Sequence, residues 1–137
     1  MESRPEGQQV LGRGLHSNQE VRVEVKLGTN TRQRKAPVLF RVHVENEIFE
    51  APALVSRISG TSRSTALVLR SKKNRKLELK TIEHFMAAAF CCGNLPIDVD
   101  FWPTEKLLHD AVEVPILGGG SLEWAQILEP FLAQVPP

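Results

Sequence analysis

Glu83 and His84 open an apolar helical segment, and a carboxylate beside an imidazole is the pairing that supplies a general base and a metal ligand. A helix N-terminus favours carboxylate over carboxylic acid and neutral imidazole over imidazolium, the forms those roles require. Adjacent helical side chains project about 100° apart, so the pair can address two neighbouring points, a metal and the water bound to it. The same dipeptide also serves capping and solvation, and spacing alone leaves both uses open. A catalytic zinc site needs three protein ligands and an open position. The other histidines are His16, in the Gly-rich turn Gly12 to Asn18, His43, in a strand pattern, and His109, beside Asp110. No His-x-x-x-His or His-x-x-x-Asp pair, which would set two ligands on one helical face, occurs in the 137 residues. His16 to Glu20 and His43 to Glu47 have that spacing on turn and strand patterns, where the rise of the chain separates the side chains. The sequence therefore offers one ligand, His84.

Three other groups of residues invite a chemical reading. The basic runs Thr31 to Lys35 and Lys72 to Lys76 sit at expected hairpin tips, as solvated loops or as phosphate contacts. No aromatic residue interleaves with these charges, as binding of single-stranded nucleic acid would require, so no nucleic-acid partner is expected. Gly118 to Gly120 before Ser121 is a tight turn with a Ser cap or an anion-binding turn, but lacks the Lys of a phosphate-binding loop. Ser121 has no histidine near it in sequence to activate it.

The elements that must position these residues follow from periodicity. Val21, Val23, Val25 and Leu27 alternate with Arg22, Glu24 and Lys26, and Val38, Phe40, Val42 and Val44 with Arg41, His43 and Glu45, which predicts two half-buried strands. The polar stretch Gly28 to Lys35 between them fits a long hairpin loop. Ala66 to Leu69 and Leu77 to Leu79 flank Ser71 to Lys76 as a second hairpin. Ile97, Val99 and Phe101 alternate with Asp98 and Asp100 in one more strand. Ile82, Phe85, Met86, Ala89 and Phe90 share one helical face, and the small Ala87, Ala88 and Cys91 lie opposite. Thr81 is a fitting N-cap, and Gly93 or Asn94 a fitting stop. A second helix runs from Ser121 to about Glu129, with Trp124, Leu128 and Phe131 one turn apart and Pro130 marking its end or a kink. The expected architecture is a single α+β domain over residues 1–137, a two-layer sandwich of a mostly antiparallel sheet with two helices on one face.

Bulk properties narrow the function classes. With 17 basic and 16 acidic residues, net charge implies no polyanion partner. The longest apolar run, Phe85 to Cys92, is far too short for a membrane span, and the first residues are polar, without an apolar signal segment. The only cysteines, Cys91 and Cys92, are adjacent, which is poor disulfide geometry and fits a reduced, cytoplasmic compartment.

Four segments, in order, resemble the N-terminal half of the UDP-3-O-acyl-N-acetylglucosamine deacetylase family, the zinc enzymes of lipid A synthesis. Gly12-Arg-Gly-Leu-His-Ser17 resembles that family's Gly-x-Gly-Leu-His-Ser/Thr turn. Thr61-Ser-Arg-Ser-Thr-Ala-Leu67 resembles its Thr-x-x-Ser/Cys-Thr-x-Leu strand. Thr81-Ile-Glu-His-Phe-Met-Ala-Ala88 resembles its Thr-Val-Glu-His-Leu-x-Ala-Ala helix start. Glu113 to Trp124 is similar to its Glu-Ile-Pro-Leu-Leu-Asp-Gly-Ser-Ala-x-x-Trp segment. Together they span nearly the whole chain.

The resemblance implies zinc as cofactor, His84 as a zinc ligand, Glu83 as general base on the metal-bound water, and Ser64 and Thr65 as substrate-binding residues. It also implies two similar α+β domains with the site between their helices, and a UDP-3-O-acyl-glucosamine-type substrate. The family's His-x-x-x-Asp ligand pair and catalytic His belong to the second domain, and no such pair stands in this sequence. The chain is therefore expected to carry only the Glu-His half of the site and to be inactive alone, its helix face covered by a second chain or a homodimer. Gly118 and Gly120 replace the family's Asp and Ser, Gly93-Asn-Leu-Pro96 replaces its Gly-Ile-Asp-Asn, and Trp102 to Asp110 reads as an insertion. These departures keep a second use open, a non-catalytic module that binds a nucleotide sugar or a protein.

Overall fold

Valines in alternation give this chain its central strands. Val21, Val23 and Val25 are fully buried in β2 (Glu20–Leu27), and Phe40 and Val42 in β3 (Val38–Val44), while the residues between them face the other way. The computed structural model describes residues 8–14, 17–28, 36–54, 58–60, 65–89, 96–104, 110–115 and 121–132. Its other strands are β1 (Gln8–Arg13), β4 (Glu47–Pro52), β5 (Ile58–Gly60), β6 (Thr65–Arg70), β7 (Lys76–Lys80), β8 (Ile97–Pro103) and β9 (Ala111–Glu113). The helices are α1 (Glu83–Ala89) and α2 (Ser121–Leu132).

The strands form one sheet in the order β1-β2-β8-β3-β4-β6-β7-β9, with β5 on β6. Among the described residues six pairings are antiparallel, and β3 with β8 and β7 with β9 are parallel. This is the expected α+β arrangement of a mostly antiparallel sheet with two helices. The expected β2–β3 hairpin is not formed: β8 lies between the two strands and pairs with both. The β6–β7 hairpin forms as the pattern predicts, and a tighter one joins β3 to β4 through Glu45 (φ 49°) and Asn46 (φ 66°). Two consecutive left-handed residues match the twist of a two-residue hairpin.

The inward face of the sheet meets the helices through an aromatic chain. Phe85 of α1 stands edge-on to Phe40 at 5.7 Å and to Trp124 of α2 at 5.2 Å, and Phe40 reaches Phe101 of β8 at 6.0 Å. Edge-to-face rings add to the area they bury. The helices depart from expectation in two places. Of the two expectations for Pro130, an end or a kink, the end is not met, since α2 runs on to Leu132 with the proline inside it. Gln126, whose carbonyl the proline cannot reach, and Pro130 itself are exposed, so the lost helical bond faces water. On α1 the small residues do not form one open face, because Ala88 is buried and Ala87 exposed. The large apolar side chains left exposed among the described residues are on strands, Leu11, Ile48 and Val68. Phe90 and Cys91 lie outside the described residues, as do Gly93, Asn94 and the basic run Thr31 to Lys35. At the other basic run, Arg75 pairs with Glu47 and lies over the Phe49 ring, Arg70 donates to Asn74, and Lys72 and Lys73 are exposed.

Because β8 lies between β2 and β3, side chains of both neighbours flank its outward carboxylates and bury them: Asp98 is 8% exposed and Asp100 2%. Arg41 of β3 satisfies both, with Nε on Asp100 at 2.9 Å and Nη2 on Asp98 at 3.0 Å. His43 Nε2 is 2.8 Å from Asp100, and its ring stacks on Trp102, over which Arg22 lies on the β2 side. Burial alone would raise the Asp100 pKa, but bonds from Arg41 and His43 and the charges of Arg41 and Lys26 outweigh it and hold the carboxyl below its ordinary value. Burial would likewise lower the Arg41 pKa, and the two aspartates raise it instead. A depressed carboxylate stabilises the fold above its unfolded pKa and loses that contribution as pH falls through the folded one. Asp100→Asn is therefore expected to cost about 3 kcal/mol at pH 7, the low end for breaking a buried pair, since Arg41 keeps Asp98. Urea denaturation should show that difference shrinking once the pH drops below about 4.

Candidate functional site

The chain turns from β7 into α1 at a single corner. Thr81 there has φ 61°, a left-handed conformation that a β-branched residue rarely takes. Such a residue costs on the order of 1–3 kcal/mol and persists only where its surroundings hold it. Two bonds hold this buried threonine. Its N–H donates to the Thr65 carbonyl at 2.8 Å, and its hydroxyl to Glu113 Oε2 at 2.6 Å. The expectation that Thr81 caps α1 through its side chain is thus corrected. The first intrahelical bond runs from Met86 N–H to the Ile82 carbonyl, and the threonine hydroxyl is spent on Glu113.

Glu83 and His84 follow in the first turn, both half-buried. Thr65, the first residue of β6, donates its hydroxyl to Glu83 Oε2 at 2.6 Å. One residue thus grips the corner twice, by its carbonyl on Thr81 and its hydroxyl on Glu83. A carboxylate held by a strand residue is fixed in direction, which a general base needs.

Glu113, at the end of β9, is 4% exposed and gathers donors from two distant segments. Its Oε1 accepts from the Ser17 N–H at 2.8 Å and the Ser17 hydroxyl at 2.9 Å, while Oε2 takes the Thr81 hydroxyl. Gly14 makes room for this carboxylate: a Cβ there would overlap Glu113 Oε1 and stand 2.6 Å from Ser17 Oγ. Gly14→Ala must therefore push the carboxylate off its donors. We expect a loss of about 1–3 kcal/mol in a denaturation midpoint comparison, the usual cost of an inserted methyl group in a packed site.

Of the residues expected to do chemistry, Glu83 and Thr65 are brought into contact, and His84 stands next to them on α1. Ser64, His16 and His109 lie outside the described residues. His43 is engaged with Asp100 and Trp102 on the sheet face away from the helices. Sequence reasoning did not single out Gly14, Ser17, Thr81 and Glu113 as one cluster. All four lie inside the segments of resemblance, and Thr65 adds the remaining segment. Stretches as far as 96 residues apart thus meet around one helix start.

A family model, that of the UDP-3-O-acyl N-acetylglycosamine deacetylases (LpxC), matches residues 6–133. The chain belongs to this family. The deacetylase family is zinc-dependent, and its chemistry is hydrolysis in lipid A biosynthesis. The described residues do not build a complete zinc site: no group of three or more His, Cys, Asp or Glu side chains among them is arranged to hold a metal ion. Nor is any helix among them long and apolar enough to cross a membrane.

Proposed function

We propose that the chain supplies the Glu83–His84 half of an N-deacetylase site, and that it hydrolyses nothing until a second unit brings the remaining zinc ligands. The observation that carries this reading is the 2.6 Å bond from Thr65 to Glu83 at the start of α1. It sets a carboxylate in a fixed direction beside an imidazole, in a chain of deacetylase descent. The substrate class is the UDP-linked, 3-O-acylated N-acetylglucosamine. Glu83 takes the proton of the water that attacks the acetamide carbonyl, and the amine nitrogen is protonated as the C–N bond breaks, releasing acetate and the free amine. His84 is one ligand of a zinc set completed from beyond the described residues. Thr65 orients Glu83 and, with Ser64, borders the substrate. The second unit is a further domain, a separate chain or a second copy, and the setting is the cytoplasm.

The test is acetate release from that substrate with zinc present, by the chain paired with the second domain of a family deacetylase and by the same pair carrying Glu83→Ala. Turnover that disappears with Glu83 supports the assignment, and turnover indifferent to Glu83 overturns it. A module that only binds would hold the substrate without turnover in either form.

A further inference from the structure

The left-handed corner at Thr81 is the one place where the backbone departs from easy geometry immediately before the Glu83–His84 pair. What holds that corner in place also sets where the pair points. The Thr65 carbonyl fixes the Thr81 N–H, and Glu113 fixes its hydroxyl. Glu113 is itself locked by Ser17 through two bonds to its other oxygen, and by the ladder that pairs β9 with β7, where Glu113 sits opposite Lys80. It is a buried carboxylate bonded to Ser17 and to Thr81, and Thr81 stands two residues before Glu83, at the turn that presents the pair. We propose that Glu113 is a positioning residue of the deacetylase site. It holds Thr81 in its left-handed conformation and thereby sets the direction of Glu83 and His84.

The inference rests on the functional reading of that pair, but its geometry can be tested apart from activity. The readout is amide hydrogen exchange of the full chain, comparing Thr81 and Met86, whose N–H groups make the corner and the first helical bond, with Val23 and Val99 in the central strands. In Glu113→Ala the two corner amides should exchange at least about tenfold faster relative to the central strands. Glu113→Gln should return them to within about threefold, because its carbonyl still accepts from Ser17 and its amide N–H donates to the Thr81 hydroxyl oxygen where the carboxylate accepted from it. Should Glu113→Ala not fold, Thr81 carries the same test. Thr81→Val keeps the strained β-branch without its tether and should loosen the corner as much. Thr81→Gly also loses the tether but adopts φ 61° freely, and should stay near the wild-type rate.

Loosening confined to the corner, rescued by Gln and absent in Thr81→Gly, supports the proposal. Equal acceleration at every amide, or equal loosening in Thr81→Val and Thr81→Gly, overturns it and leaves Glu113 a general stabiliser. In the paired enzyme Glu113→Ala should lower kcat at least about tenfold with KM within twofold, since it disturbs the base rather than substrate contacts. An unchanged kcat overturns the proposal. Failure of the wild-type pair to turn over at all counts against the function proposed above, and the exchange comparison then decides the role of Glu113 at the corner.

Discussion

Phe85→Ala is expected to cost about 3–5 kcal/mol, the range for emptying a buried aromatic site. The ring has no exposure and stands between Phe40 on the sheet and Trp124 on α2, so its loss leaves a void bounded by two aromatics that cannot both move in. A helix as short as α1, seven residues, has no stability of its own and depends on such packing. Phe85 also lies directly after the Glu83–His84 pair, so the same substitution should loosen the site's helix. Equilibrium urea denaturation measures the loss. A cost under about 1 kcal/mol would mean that Phe85 does not anchor α1 as described.

Glu83→Ala is expected to lower kcat of the paired enzyme by about 10²–10⁴-fold, the span that a positioned general base contributes, with KM little changed. Thr65→Val gives the intermediate case. It removes the hydroxyl that orients the carboxylate while keeping the branched shape, and a hydrogen bond to a charged group corresponds to a loss of roughly ten- to hundredfold. The order wild type, Thr65→Val, Glu83→Ala in kcat would tie the base to its strand partner. Thr65→Val as active as wild type would show that Glu83 needs no such hold.

Much of the fold was legible because valine alternation and helical spacing are local signals. The strands β2, β3, β6, β7 and β8 and both helices follow from side chains a few residues apart. Pairing is not local. The polar stretch after Leu27 reads as a hairpin loop, but the strand that pairs with β2 arrives from residues 97–103 and separates it from β3. Short or unusual pieces also escape periodicity. The strand β9 has three residues, and β4 follows a turn with Glu45 in a left-handed conformation, which no turn rule for glutamate foretells. The burial of Asp98 and Asp100 follows from the side chains that β2 and β3 place on either side of β8, a property of the assembled sheet.

The site divides in the same way. Glu83 and His84 are adjacent and stand out as a pair, whereas the bond from Thr65 to Glu83 spans 18 residues and that from Ser17 to Glu113 spans 96. The signal available for the second was membership of Gly14, Ser17, Thr81 and Glu113 in matching family segments. Such a match marks residues without saying that they touch. Thr81, two residues before Glu83, reads as a helix cap by type and position, and only the buried carboxylate of β9 explains why it does something else.

The most direct test of the half-site is acetate release from UDP-3-O-acyl-N-acetylglucosamine by the purified chain with zinc, measured before and after addition of the second domain of a family deacetylase. We expect no turnover above the Glu83→Ala background from the chain alone, and Glu83-dependent turnover once the second domain is present. Glu83-dependent turnover by the chain alone would contradict the half-site, and would mean that these 137 residues complete a zinc site among themselves or across a dimer.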